Sequence, residues 1–178
     1  MDRLAHIHRI SRSEAPPALD RRIRATYVSG MEITVRPLRP GDREEWEPLW
    51  DGYNRFYERP DFPSEITRVS WQRFLNPDEP MFAAVAELDG RIVGLVHYLY
   101  HRSTTAIENV CYLQDLFTAP EARGRGVARA LIEYVYAEAA KAGSRRVYWQ
   151  THESNPARKL YDRLATLTPF RRYAREIA

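Results

Sequence analysis

The 178-residue sequence predicts a mixed α/β fold, an α+β arrangement whose central sheet is mostly antiparallel, flanked by helices, with only its later strands parallel. Two observations carry this reading. Apolar alternating runs over Met81–Glu87 and Arg91–His101 are joined by Leu88-Asp89-Gly90, and Asp-Gly supplies the positive φ angles of a tight hairpin turn. After that hairpin, strand and helix patterns alternate, as parallel crossovers require. The length suits one domain whose core needs no disulfide or metal staple.

Taken in order, Glu32–Arg36 alternates as a strand, and Gly41-Asp42 caps a helix in which Trp46, Leu49, Trp50 and Tyr53 recur at helical spacing. Phe56-Tyr57 extend that stretch. Large aromatics at this spacing make core, and the competing reading puts Tyr53, Phe56 and Tyr57 on the wall of a substrate pocket. A second helix over Ser64–Leu75 stops at Asn76-Pro77. A strand over Asn109–Thr118 follows the hairpin and ends in the turn Ala119-Pro120. Val127, Ala130, Leu131, Tyr134 and Val135 then form an apolar helical stripe that ends before Gly143. The remaining elements are a strand over Arg146–Thr151, a helix over Asn155–Leu164 and a closing strand over Phe170–Ile177.

Residues 1–30 lack hydrophobic periodicity and read as an N-terminal extension, disordered in part, with a docked helix over Leu19–Tyr27 as the alternative; residues 31–178 form the domain. Six arginines and three acids fall in this extension, which leaves 21 basic and 21 acidic residues in the domain. A neutral body lacks the clustered basic face of nucleic-acid binding, so no nucleic-acid partner is expected. His6 and His8 belong to a solvated arm. The lone Cys111 lies in an apolar run and reads as buried core. With no apolar run of about 18 residues and no secretory h-region, the expectation is a cytoplasmic protein without a membrane partner.

The chemistry centres on Arg123-Gly124-Arg125-Gly126-Val127-Ala128 at a strand-to-helix junction. Glycines there let backbone N–H groups approach an anion, and the helix N-terminus adds partial positive charge. A kinase P-loop requires Lys-Ser/Thr where Val127-Ala128 stand. A dinucleotide fingerprint would follow the first strand and carry a third glycine. His97 and His101 share a strand face and give no metal grip, and no cluster has zinc spacing, so no metal is expected.

Arg123, Gly126 and Ala128 resemble the Q/R-x-x-G-x-G/A acyl-CoA signature of the GCN5-related N-acetyltransferase (GNAT) superfamily. Leu113-Gln114-Asp115-Leu116-Phe117-Thr118-Ala119-Pro120-Glu121 and Asn155-Pro156-Ala157-Arg158-Lys159-Leu160-Tyr161 are similar to its central strand and last helix. Tyr148-Trp149-Gln150-Thr151-His152-Glu153-Ser154-Asn155 most resembles the Hpa-type histone and polyamine acetyltransferases. The resemblance covers residues 31–178 and implies a GNAT-like acyl-CoA N-acyltransferase fold, its parallel strand pair at the cofactor cleft. Acetyl-CoA is then the co-substrate: the strand edge Leu116, Phe117 and Thr118 takes the pantetheine arm, and Arg123, Gly124, Arg125, Gly126, Val127, Ala128 and Arg129 hold the pyrophosphate. Asn155 orients the cofactor, caps its helix, or both, and Tyr161 is the general acid.

A lysine-like amine is only about one part in two thousand neutral at pH 7, so a base or water relay is needed. Asp115, Glu108 and Glu153 are the candidates, with Gln114 holding a water as the alternative, since Gln cannot itself take a proton. Strand alternation places Gln114 and Asp115 on opposite faces unless a bulge intervenes. The implied enzyme transfers acetyl directly, in a ternary complex, to a primary amine: a small amine, amino acid, polyamine or protein amine. Glu58, Asp61 and Glu65 near the aromatic helix are available to a polycation. Homodimers are common in the resembled family. The competing reading is a non-catalytic acyl-CoA sensor or interaction module.

Overall fold

Six strands lie in one sheet in chain order: β1 (Ile23–Val28), β2 (Met31–Pro37), β3 (Met81–Leu88), β4 (Arg91–Ser103), β5 (Ala106–Thr118) and β6 (Val147–Tyr148). The computed structural model describes residues 23–28 and 31–177. Neighbours are antiparallel from β1 to β5, and β6 joins β5 in parallel. The hairpin between β3 and β4 turns as expected, with φ of 52° at Asp89 and 77° at Gly90.

Helices cover both faces. α1 (Arg43–Phe56) and α2 (Ser64–Leu75) lie on one, α3 (Val127–Lys141) on the other, and α4 (Arg158–Leu164) follows β6. Trp46 is fully buried, stacked against Trp50 with ring centres 5.9 Å apart, and Trp50 Nε1 donates to Thr67 Oγ1 at 3.2 Å, tying α1 to α2. α1 sits close on β5 because Gly52 has no side chain: a Cβ there would stand 2.8 Å from the Phe117 ring. On the opposite face, Gly94 faces Val127 and Leu131 of α3, and Tyr98 lies among Tyr134 and Glu138.

Asp42 works backwards from its expected role. Instead of capping α1 ahead of it, its carboxylate accepts the Arg39 backbone N–H at 2.7 Å and grips buried Arg36 at 2.6 and 2.9 Å. Arg36 also donates to Glu87 at 2.6 Å, so one buried guanidinium joins β2, β3 and the turn into α1. With both partners present the burial of charge is compensated.

Four boundaries differ from expectation. Within the stretch read as extension or helix, Ile23–Val28 is a strand paired with β2; His6, His8 and the rest of residues 1–22 lie outside the described residues. The strand expected over Arg146–Thr151 is only Val147–Tyr148, because β6 pairs with β5 at Cys111 and Tyr112 and then diverges. The last helix starts at Arg158 rather than Asn155, which forms the preceding turn. Phe170–Ile177 is no strand: it pairs with nothing in the sheet, and Phe170 and Tyr173 are 88% and 95% exposed.

Candidate active site

The divergence of β6 opens one edge of β5. Beyond Tyr112 no strand lies on that side, so backbone groups of residues 113–118 pointing away from β4 have no ladder partner among the described residues. The glycine loop follows directly. Gly124 and Gly126 have φ of 75° and 88°, a region costly for L side chains, and Gly126 sits at the N-cap of α3. No side chain caps this helix, and its first bond is Ala130 N–H to Gly126 O, so the amides from Gly124 to Arg129 have no backbone partner among the described residues. This is a backbone cradle for an anion beside an open strand edge.

Side chains add little fixed geometry here. Arg123 reaches back to Thr118 O at 3.4 Å and lies over the Phe117 ring; Arg129 makes a loose i,i+4 pair with Glu133 at 3.5 Å; Arg125 is exposed. A groove of about 450 Å³ runs beside the loop between Gly52, Phe56, Phe117, Pro120 and Arg123. Phe56, grouped in sequence with Tyr53 and Tyr57, therefore borders the loop side.

The other flank of β5 is built from side chains. His97 on β4 pairs with Asp115, and the next residue, Tyr98, pairs with Leu113, so Gln114 is an extra residue bulged out of the ladder. The bulge reverses the strand's phase. Leu113 is buried opposite Tyr98 on the α3 face, whereas Asp115 lands opposite His97 under α1, and Gln114 is exposed.

Asp115 enters a buried chain of polar contacts. Trp46 Nε1, which can only donate, reaches His97 Nε2 at 3.1 Å; Nε2 must accept, so the ring's proton is on Nδ1, which donates to Asp115 Oδ2 at 3.0 Å. His97 is 2% exposed and stacks on Phe74 at 4.3 Å, which fixes its ring. Burial pushes the Tyr53 hydroxyl far above the ordinary tyrosine pKa, reinforced by the charge of Asp115 and a side-chain hydrogen bond to it. The Tyr57 ring is tilted by 55° against that of Tyr53, with ring centres 4.9 Å apart.

Tyr161 projects from α4 onto the Trp149 ring, 5.4 Å away, and burial pushes its hydroxyl up to about 12, with Tyr57 contributing. Tyr57 also bears on Tyr53 and Tyr112, so residues from α1, β5 and α4 surround one region. Asn155 is engaged locally: its Oδ1 accepts Ala157 N–H at 2.9 Å and its Nδ2 donates to Thr151 Oγ1 at 2.8 Å, an Asx turn leading into α4. Glu108 faces Arg145 at 3.6 Å at the far end of β5, and Glu153 is exposed, so neither joins Asp115. Glu65 is paired with Arg68, and Glu58 and Asp61 are exposed.

His97 escaped sequence reasoning. Its meaning depends on Trp46, 51 positions away, and on a bulge, and neither is periodic. Among the described residues no group of three or more His, Cys, Asp or Glu could hold a metal ion, and no helix is long and apolar enough to cross a membrane.

The comparisons with known proteins agree with this geometry. Residues 46–165 match the model of the acetyltransferase (GNAT) family. The chain is 36% identical over 139 residues to the D-amino-acid N-acetyltransferase HPA3 of Saccharomyces cerevisiae, covering 76% of this chain and 86% of the relative. It is 24% identical over 131 residues to the uncharacterized N-acetyltransferase YhfO of Bacillus subtilis, covering 73% and 87%. Among solved structures, the aminoglycoside N-acetyltransferase AAC(6')-Iy in complex with CoA superposes with a TM-score of 0.71 at 21% identity, covering 86% of this chain and all (100%) of that one. The chain belongs to the GNAT family of acetyltransferases, and its chemistry is the transfer of an acetyl group from acetyl-CoA to an amine.

Proposed function

We propose that the protein acetylates the amine of a small molecule, an amino acid foremost, by direct transfer in a ternary complex, with Asp115 as the base and Tyr161 as the acid that donates a hydrogen bond to the departing sulfur. The observation that carries this is the meeting of Asp115, Tyr53, Tyr57 and Tyr161 around one region beside the open edge of β5. The relative named for D-amino acids supports the acceptor class.

The residues present fit acetyl-CoA. The free edge at Leu116, Phe117 and Thr118 suits a pantetheine arm added like a strand, and the unpaired amides from Gly124 to Arg129 suit a pyrophosphate, with Arg123, Arg125 and Arg129 adding charge. When bound, acetyl-CoA supplies the acetyl thioester and a thiolate leaving group. Asp115, oriented by His97 Nδ1–H, receives the acceptor's proton, directly or through the Tyr53 hydroxyl; a water held at Gln114 is the alternative route. Deprotonating an amine of pKa near 10.4 at pH 7 costs about 4–5 kcal/mol, which is what such a base must offset. Tyr161, raised to about 12, keeps its proton at neutral pH. Complete transfer to a thiolate of pKa about 8.5 would be uphill by about 5 kcal/mol, so its contribution is a hydrogen bond to the developing charge on sulfur. Asn155 supports the last turn before Tyr161.

Direct transfer is supported by Cys111. Its thiol faces the α3 side of the sheet among Tyr100 and Tyr134, and burial pushes it up to about 12, so it offers no thiolate to carry an acyl group. Residues 31–178 are the transferring unit in this reading, and the extension lends it an edge strand. A homodimer is supported by the exposed apolar tail residues Leu167, Phe170, Tyr173 and Ile177, and a cytoplasmic setting by the single buried thiol.

A thiol-release assay with acetyl-CoA across D- and L-amino acids, spermidine and a lysine peptide tests this. Acetylation of amino acids is expected. Tight CoA binding with no thiol release from any amine would mean a sensor instead.

A further inference from the structure

The C-terminus of α1 is closed in an unusual way. Glu58 N–H bonds Arg55 O at 3.1 Å and Arg59 N–H bonds Asn54 O at 2.9 Å, the paired bonds of a Schellman motif. The left-handed position, where glycine is favoured, holds Glu58 at φ 58°. The turn folds Arg59 back along the helix it has just left. Its guanidinium carbon lies 5.9, 5.5 and 5.8 Å from the ring centres of Tyr53, Tyr57 and Phe62.

Arg36, Arg43 and Arg68 each grip a carboxylate. Arg55 and Arg59 both lack an ion-pair partner among the described residues, and of the two it is Arg59 that lies over the Tyr53 and Tyr57 rings. Arg59 is exposed. It stacks over the same tyrosine whose hydroxyl bears on Asp115. A free cation and a buried carboxylate thus flank one aromatic platform. Arg172, from the tail, adds a further positive charge near Tyr112.

We propose that Arg59 binds the acceptor's carboxylate, so that the site selects zwitterionic amino acids, ammonium toward Asp115 and carboxylate toward the guanidinium, over amines that lack a carboxylate. This rests on the reading of the Asp115–Tyr53 region as the acceptor site. Arginine suits the task because its planar fork pairs bidentately with carboxylates. The left-handed Glu58 keeps that fork on the rings before substrate arrives.

The test compares D- and L-phenylalanine with phenethylamine, the same side chain without the carboxylate, as acceptors for the full chain. Wild type is expected to favour phenylalanine in kcat/KM, and Arg59→Met, which retains apolar contact with the rings, to reduce that preference by ten- to a hundredfold, the size of a lost charge-assisted pair. Arg59→Lys should restore part of it. A wild type that acetylates phenethylamine as well as phenylalanine overturns the inference while leaving the acceptor site intact, and requires no variant to fold. An unchanged preference in Arg59→Met overturns it too. Acetylation of neither compound, nor of any other amine, sinks the acceptor-site reading along with it.

Discussion

The two flanks of β5 solve opposite problems. The loop flank is made of backbone: unpaired amides, two glycines with positive φ and arginines that touch little. The α1 flank is made of side chains, where Trp46, His97, Asp115 and Tyr53 fix one another in a buried chain. A backbone cradle suits the role proposed for it, since what every acyl-CoA shares is a pyrophosphate and an amide-bearing arm. A side-chain cluster can be tailored to one acceptor. The difference predicts that damage to one flank should appear in donor binding and damage to the other in turnover.

The largest effect is expected from Gly126→Val. A β-branched residue at φ 88° is strained by more than about 1 kcal/mol and reshapes the amides around it. Calorimetric titration should show acetyl-CoA affinity falling at least about a hundredfold in a protein whose circular dichroism is unchanged; normal affinity would remove the cradle from the donor site.

Asp115→Asn probes the other flank. It preserves the acceptor atom for His97 Nδ1–H while removing the basic charge, so kcat should fall about a hundredfold or more at constant acetyl-CoA Kd. A parallel loss of donor binding would blur the division between flanks.

Tyr161→Phe is the mildest of the three, about tenfold in kcat, since a single hydrogen bond to sulfur is lost. Because the hydroxyl's pKa is near 12, the pH–rate profile of the wild type should show no fall from tyrosine ionisation at neutral pH. If the variant instead changes KM for acetyl-CoA and leaves kcat alone, Tyr161 is a wall and gives no hydrogen bond to the developing charge.

The same division governs how much the sequence disclosed. Glycine spacing announces the cradle because positive φ constrains residue type directly, and Leu88-Asp89-Gly90 announces the hairpin for the same reason. Cys111 was legible as core from its apolar neighbours. The α1 flank was not legible as a unit: Trp46, Trp50 and Tyr53 are visible as a helical stripe, but their partner His97 lies on a strand and Asp115 reaches it only through a bulge. The shortness of β6 and the unpaired Phe170–Ile177 were missed because β-branched and aromatic residues look the same whether or not a partner strand continues beside them.

The extra residue at Gln114 makes β5 two short strands of opposite parity spliced end to end. Its first half sends Cys111 and Leu113 into the hydrophobic interior, and its second half sends Asp115 and Phe117 toward α1. Removing one residue at the splice would interchange the faces of the residues beyond it, sending a carboxylate into oil and a leucine toward α1. Length at this point, more than composition, is therefore what keeps Asp115 beside His97.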